Sequence, residues 1–335
     1  MEWFYQHFAQ PASAFIGFVS DLIPINIGLI LLVLALALCL GFLLALLKKR
    51  WKLALCLLPA PILVFNAATI QIATGLILWP SWFRDIKTPL LSQEFPLTEN
   101  QKTALLQMAL KNINTPFSVT EWNELSQEEL LSDANQSLNT LLSTLGYSKG
   151  RTVRQIKDFH EPFFSLGLAY GGPAYKDPYT QEVVIPNPSR YPASRYWHWH
   201  TVYHEVAHAK GWLNELDTTF LQVASMIRSR YATVRTLGWM HLILNSDIYG
   251  GKSETELLAL GLPAVVLTDI YEGRDKVQKL LKQKPLYQGL NKLLKKAQLQ
   301  NSGKKYGLDP DRWLNNPLNG MLFRLLAEGH LRYPE

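Results

Sequence analysis

Cysteine is nearly absent. Cys39 and Cys56 are the only two among 335 residues, and both fall inside long apolar runs, so no disulfide framework staples the rest of the chain. Charge is missing from two stretches, Ile27 to Leu47 and Leu53 to Trp79. At about 1.5 Å rise per residue, each is long enough to cross a hydrocarbon core of about 30 Å. Lys and Arg are missing from the segment before Pro24, which carries Glu2 and Asp21, whereas Lys48, Lys49, Arg50 and Lys52 crowd the connection between the two runs. No internal repeat and no low-complexity tract is present, which excludes a repeat array.

These absences predict two N-terminal transmembrane helices. A cleaved signal peptide fits poorly, because the first run begins well inside the chain and leads through a basic cluster into a second run. Pro59, Pro61, Asn66 and Gln71 interrupt the second run, and contacts between neighbouring helices would satisfy such groups. Positive connections stay in the cytoplasm. The sequence therefore predicts an extracytoplasmic segment over residues 1–23, a two-helix anchor with a short cytoplasmic loop over 24–83, and an extracytoplasmic domain over 84–335. Trp79, Trp82 and Phe83 lie where an interfacial aromatic belt is expected.

The formal net charge is +6. Four of the positive charges form the basic connection, and Lys279, Lys282, Lys284, Lys292, Lys295 and Lys296 belong to a helix-like stretch, read as a solvated face that could also attract anionic lipid or an acidic wall polymer. No nucleic-acid partner is expected.

Beyond a proline-punctuated linker at Arg84 to Pro96, Thr98 to Leu145 reads as helical, with Ser118 and Thr120 as caps. Phe163 to Pro192 is rich in Gly, Pro and Tyr around one β-branched run, Glu182 to Ile185, and reads as irregular with a strand. Helical pattern returns from Tyr196 to Ser229, where Gly211 is the one glycine, and again near Glu254 to Leu281 and Pro317 to His330.

The chemistry concentrates in His204-Glu205-Val206-Ala207-His208, an H-E-x-x-H sequence on an expected helix. Residues i and i+4 share a helix face, so two imidazoles can converge on one zinc ion. Glu205 can lean over the open coordination position as general base. Chance gives about 0.01 such matches in a chain of this composition, so the motif is read as a metal site. Gly211 can end the helix in a left-handed conformation and turn the chain back toward the metal. Asn214, Glu215 and Asp217 follow. An amide is a poor zinc ligand, which leaves Glu215 and Asp217 as candidates for the third position.

On these motifs the sequence resembles an uncharacterised bacterial family of membrane-anchored, zincin-like proteins with a domain of unknown function. Its members carry two or three N-terminal membrane helices, a W-G-x-N-Y-Y-R-like junction, a Y-x-P-F-T-x-E-like element, then H-E-x-A-H-x-x-G and E-x-E-A-x-F. The matching stretches are Leu78 to Arg84, Lys176 to Glu182, His204 to Gly211 and Glu215 to Phe220. The resemblance implies that the third zinc ligand is Asp217, where this chain has Asp for the family's Glu and Thr218 for its Ala.

Glu182 matches the family's acid and is expected either to line a substrate cleft or to lie at the surface. His200, one turn before His204, is expected to support the site or to be an ordinary half-buried histidine. Tyr203, His241, Tyr249 and Tyr271 are possible donors to an oxyanion.

The expected fold is mainly α with a small β element, two N-terminal transmembrane helices preceding a zincin-like metallohydrolase domain. The expected function is zinc-dependent hydrolysis of a peptide or protein substrate at a lipid bilayer. The rivals are a receptor or scaffold with a structural or vestigial zinc site, and a transporter component.

Overall fold

The computed structural model describes residues 10–23, 25, 27–59, 97–113, 117–158, 174–176, 181–187, 194–212, 215–246, 249, 251–283, 289 and 318–330. They are mainly helical. Helices α1 (Gln10–Asp21), α2 (Ile27–Leu47) and α3 (Trp51–Leu57) lead the chain, followed by α4 (Glu99–Ile113), α5 (Val119–Glu124) and α6 (Gln127–Thr144). Strands β1 (Ile156–Lys157), β2 (Tyr175–Lys176) and β3 (Val183–Val184) precede α7 (Arg195–Ala209), α8 (Glu215–Ile227), α9 (Ala232–Leu244), α10 (Glu254–Ala259), α11 (Ala264–Gln283) and α12 (Leu318–Ala327).

The expected pair of transmembrane helices is corrected by this structure. α3 stops at Leu57, and residues 60–96, which hold most of the expected second helix, lie outside the described residues. α2 is a 21-residue helix without charge. Among the described residues, no helix is long and apolar enough to cross a membrane. The linker at 84–96 and the aromatic trio Trp79, Trp82 and Phe83 also fall outside them.

Local signals explain the helix boundaries in the domain. Ser118 caps α5 by accepting from the Glu121 amide, whereas Thr120 lies within that helix. Ser126 and Ser253 each form a reciprocal capping box, with Glu129 and Glu256 respectively. The strand expected at Glu182 to Ile185 is β3, at the centre of a three-stranded sheet ordered β1-β3-β2, parallel to β1 and antiparallel to β2.

The core surrounds α7. α6, α8 and α11 pack directly on it, and α9 bridges α8 and α4. Its apolar face buries Trp199, Val202, Val206 and Ala209 against residues such as Leu138, Phe220, Leu221 and Leu267. Burial of a large side chain of this kind stabilises by about 1.5–3 kcal/mol, so the motif helix is a rigid central element.

α1 is fastened to this domain by charge. Arg151, on the loop before β1, reaches both carboxylate oxygens of Asp21 at 2.7 Å and the Gly17 carbonyl at 3.2 Å. A Cβ at Gly17 would stand 2.0 Å from the Arg151 Nε, so a side chain there would force the guanidinium to shift. Lys157 of β1 donates to the Ser20 and Ile25 carbonyls at 2.8 Å each and pairs with Glu182.

Candidate metal centre

Ser194 caps α7, accepting from the Trp197 amide at 3.1 Å. The helix ends in a Schellman motif: the Gly211 amide donates to the His208 carbonyl at 2.9 Å and the Trp212 amide to the Ala207 carbonyl at 3.4 Å. Gly211 has φ +99°, the left-handed stop its position predicts. The turn also aims the Trp212 carbonyl back at the helix, where it meets the His208 Nδ1 at 2.6 Å.

The two motif histidines converge. Their Nε2 atoms are 3.1 Å apart, with the rings nearly perpendicular. In both rings the other nitrogen faces an oxygen, since His204 Nδ1 is 3.1 Å from the Gln222 Oε1 and His208 Nδ1 is 2.6 Å from the Trp212 carbonyl. An oxygen of this kind accepts, so the ring hydrogen belongs on Nδ1 in each case. With a hydrogen on each Nδ1, the two Nε2 atoms face one another across a gap that a cation or a shared proton would bridge. Two nitrogens bound to one tetrahedral zinc at about 2.0–2.1 Å stand about 3.3 Å apart. The donor set fits a first-row dication at two positions.

α8 runs antiparallel beside α7 and supplies the outer contacts. Thr218 and Gln222, one turn apart, face His208 and His204 in that order, with the Thr218 Oγ1 3.4 Å from His208 Nδ1. Asp217 precedes Thr218, is 1% exposed, and lies in the first turn of α8. Among the described residues no third His, Cys, Asp or Glu is grouped with the two imidazoles. The Glu215 side chain and all of Asn214 lie outside the described residues. Glu205 is buried on α7 beside the pair.

The secondary candidates separate. His200 receives a hydrogen bond at Nδ1 from the Gln222 amide at 2.7 Å and stacks between Tyr196 and His241, with centroids 4.3 and 4.9 Å away. Burial, and then the neighbouring His241, hold its pKa well below the ordinary value. Burial likewise lowers His241 to about 4. Tyr203 points away from the histidine pair: its hydroxyl donates to Asp133, which also accepts from the Ser229 hydroxyl at 2.5 Å, and burial, then Asp133, raise the phenol pKa. Glu182 neither lines a cleft nor lies at the surface, because it is fully buried against Lys157. Tyr249 and Tyr271 pack against the core.

Sequence reasoning missed Gln222 and the Trp212 carbonyl. No spacing rule marks a glutamine 18 positions from its histidine, and a carbonyl is invisible in a sequence; only the turn at Gly211 hinted that the chain comes back.

A family model described as "Protein of unknown function (DUF3810)" matches residues 4–307. No curated protein and no solved structure matches the chain.

Proposed function

The chain belongs to this DUF3810 family, and from that premise we propose that it is a zinc-dependent hydrolase acting on peptide bonds. What carries the reading is the convergence of His204 and His208 through Nε2 while both Nδ1 atoms are engaged by oxygens. These two histidines would hold the metal, and Asp217, a buried acid adjacent in sequence to the threonine that touches His208, is the proposed third ligand. Zinc held there would supply a Lewis acid and a water of lowered pKa. Glu205, buried on the same helix, would serve as the general base and then return the proton to the leaving amine.

The test is metal analysis of the purified full chain, then hydrolysis of a peptide library with and without chelator. Glu205→Gln keeps stoichiometric zinc and loses turnover, while His204→Ala loses both. Hydrolysis by Glu205→Gln at the wild-type rate rejects the mechanism. Two histidines sharing a proton instead of a metal, seen as failure to bind zinc at neutral pH, reject the metal site. Zinc with a fourth protein ligand and no activity favours the scaffold reading.

The same proposal includes association with a lipid bilayer. Phe15, Leu22, Ile25, Leu47, Trp51 and Leu55 expose large apolar side chains over α1 to α3, and exposed apolar surface of this kind marks contact with lipid or with another protein. The full chain is expected to float with phospholipid vesicles in a density gradient. Sedimentation away from the vesicles overturns this part.

A further inference from the structure

We propose that Gln222 and His200 are positioning residues that set the tautomer of His204, so that its Nε2 carries a lone pair toward His208. The inference rests on the proposed metal site and concerns how that site is prepared before any metal arrives.

A glutamine side chain has one accepting end and one donating end. Gln222 spans two histidines, with its Oε1 3.1 Å from His204 Nδ1 and its Nε2 2.7 Å from His200 Nδ1. The tautomers of the two rings are thereby coupled. When the amide donates to His200, that ring's hydrogen sits on Nε2, and the oxygen left at the other end requires a hydrogen on His204 Nδ1. The reversed amide would require the opposite of both rings and would put a hydrogen on His204 Nε2, in the gap facing His208.

Packing holds the first arrangement. With its Nδ1 accepting from the Gln222 amide, the His200 ring keeps its hydrogen on Nε2. The His200 ring is clamped between Tyr196 and His241 and is 2% exposed, so it cannot turn over cheaply in a close-packed interior. Gln222 is itself buried on α8. His208 needs no such relay, because its Nδ1 meets a backbone carbonyl directly. An unconstrained histidine side chain favours the Nε2–H form, so His204 is the ring that has to be switched. Groups that orient a metal-binding histidine in this way are worth about 10–100-fold in affinity.

The tautomers are read by imidazole nitrogen NMR on the full chain labelled at histidine, metal-free and at neutral pH, with the two rings assigned from His200→Asn and His204→Asn proteins. Zinc affinity is measured in parallel. Wild-type His204 is expected as Nδ1–H and His200 as Nε2–H. Gln222→Leu moves His204 toward Nε2–H and weakens zinc about 10–100-fold. Gln222→Glu keeps an acceptor toward His204, so that ring and the affinity stay close to wild type while His200 moves its hydrogen to Nδ1. A purely structural glutamine would not produce this selective change. A wild-type His204 in the Nε2–H form overturns the proposal, as does Gln222→Leu with tautomers and affinity unchanged. If zinc fails to bind the wild type while Gln222 still controls the His204 tautomer, the metal reading falls and the positioning role stands.

Discussion

The Nδ1 of His208 and the backbone carbonyl of Trp212 meet at 2.6 Å across a turn that a single glycine makes possible. An alanine at Gly211 would hold φ near +99° at a cost of about 1–2 kcal/mol, or else move the carbonyl. Gly211→Ala is expected to lower the unfolding free energy by about that amount and to weaken zinc binding. Denaturant titration and metal affinity check both; an unchanged affinity breaks the link between the turn and the metal.

Tyr203 is placed by Asp133, not by the histidine pair. Tyr203→Phe leaves a buried carboxylate with the Ser229 hydroxyl and the Arg230 amide, but short of one donor, at a cost of about 1–3 kcal/mol. The expected result is a lower unfolding midpoint with hydrolysis per folded molecule unaltered. A fall in kcat at full folding would restore the tyrosine as an oxyanion donor.

Arg151 and Asp21 are both almost wholly buried. Removing one member of a buried ion pair costs about 3–5 kcal/mol, because the other charge stays desolvated. Asp21→Ala is therefore expected to detach α1 or destabilise the domain by that amount, seen as new proteolytic cleavage before residue 27 and a lower denaturation midpoint. Resistance equal to wild type would show that the pair does not fasten the helix.

Burial holds His198 and His241 at about 4, against about 6.5 in an unfolded chain. Below pH 6.5 the unfolded chain takes up protons that the folded protein still refuses, so stability is complete above that value and declines as pH falls toward 4. Each histidine contributes about 1.4 kcal/mol per pH unit in this window, about 2 kcal/mol by pH 5. Urea denaturation of the metal-free protein at pH 7.5 and pH 5 measures it, and His198→Asn should flatten the slope. A midpoint equal at the two pH values contradicts the assignment.

The pairing of two histidines at the candidate site was legible in one line of sequence because helical geometry is local. The four-residue spacing of His204 and His208 puts both on one face wherever a helix forms, and a glycine three residues later ends it, as α7 does. The capping serine Ser118 and the strand at Val183 were readable for the same reason. The membrane pair was not settled by composition, since hydropathy measures apolar content and not the length of helix a chain forms: α3 ends at Leu57.

What the tertiary structure alone decided lies at long separations along the chain. Glu182 looked like an available acid until the sheet set it beside Lys157 and α1 covered them both. Nothing in the sequence marked Gln222 until α8 lay antiparallel on α7 and set its two ends between two histidines. The physical reason is that backbone dihedrals and spacing act within a few residues, whereas the partner of a buried polar group is chosen by which surfaces the whole chain removes from water, and the sequence contains no distance between them.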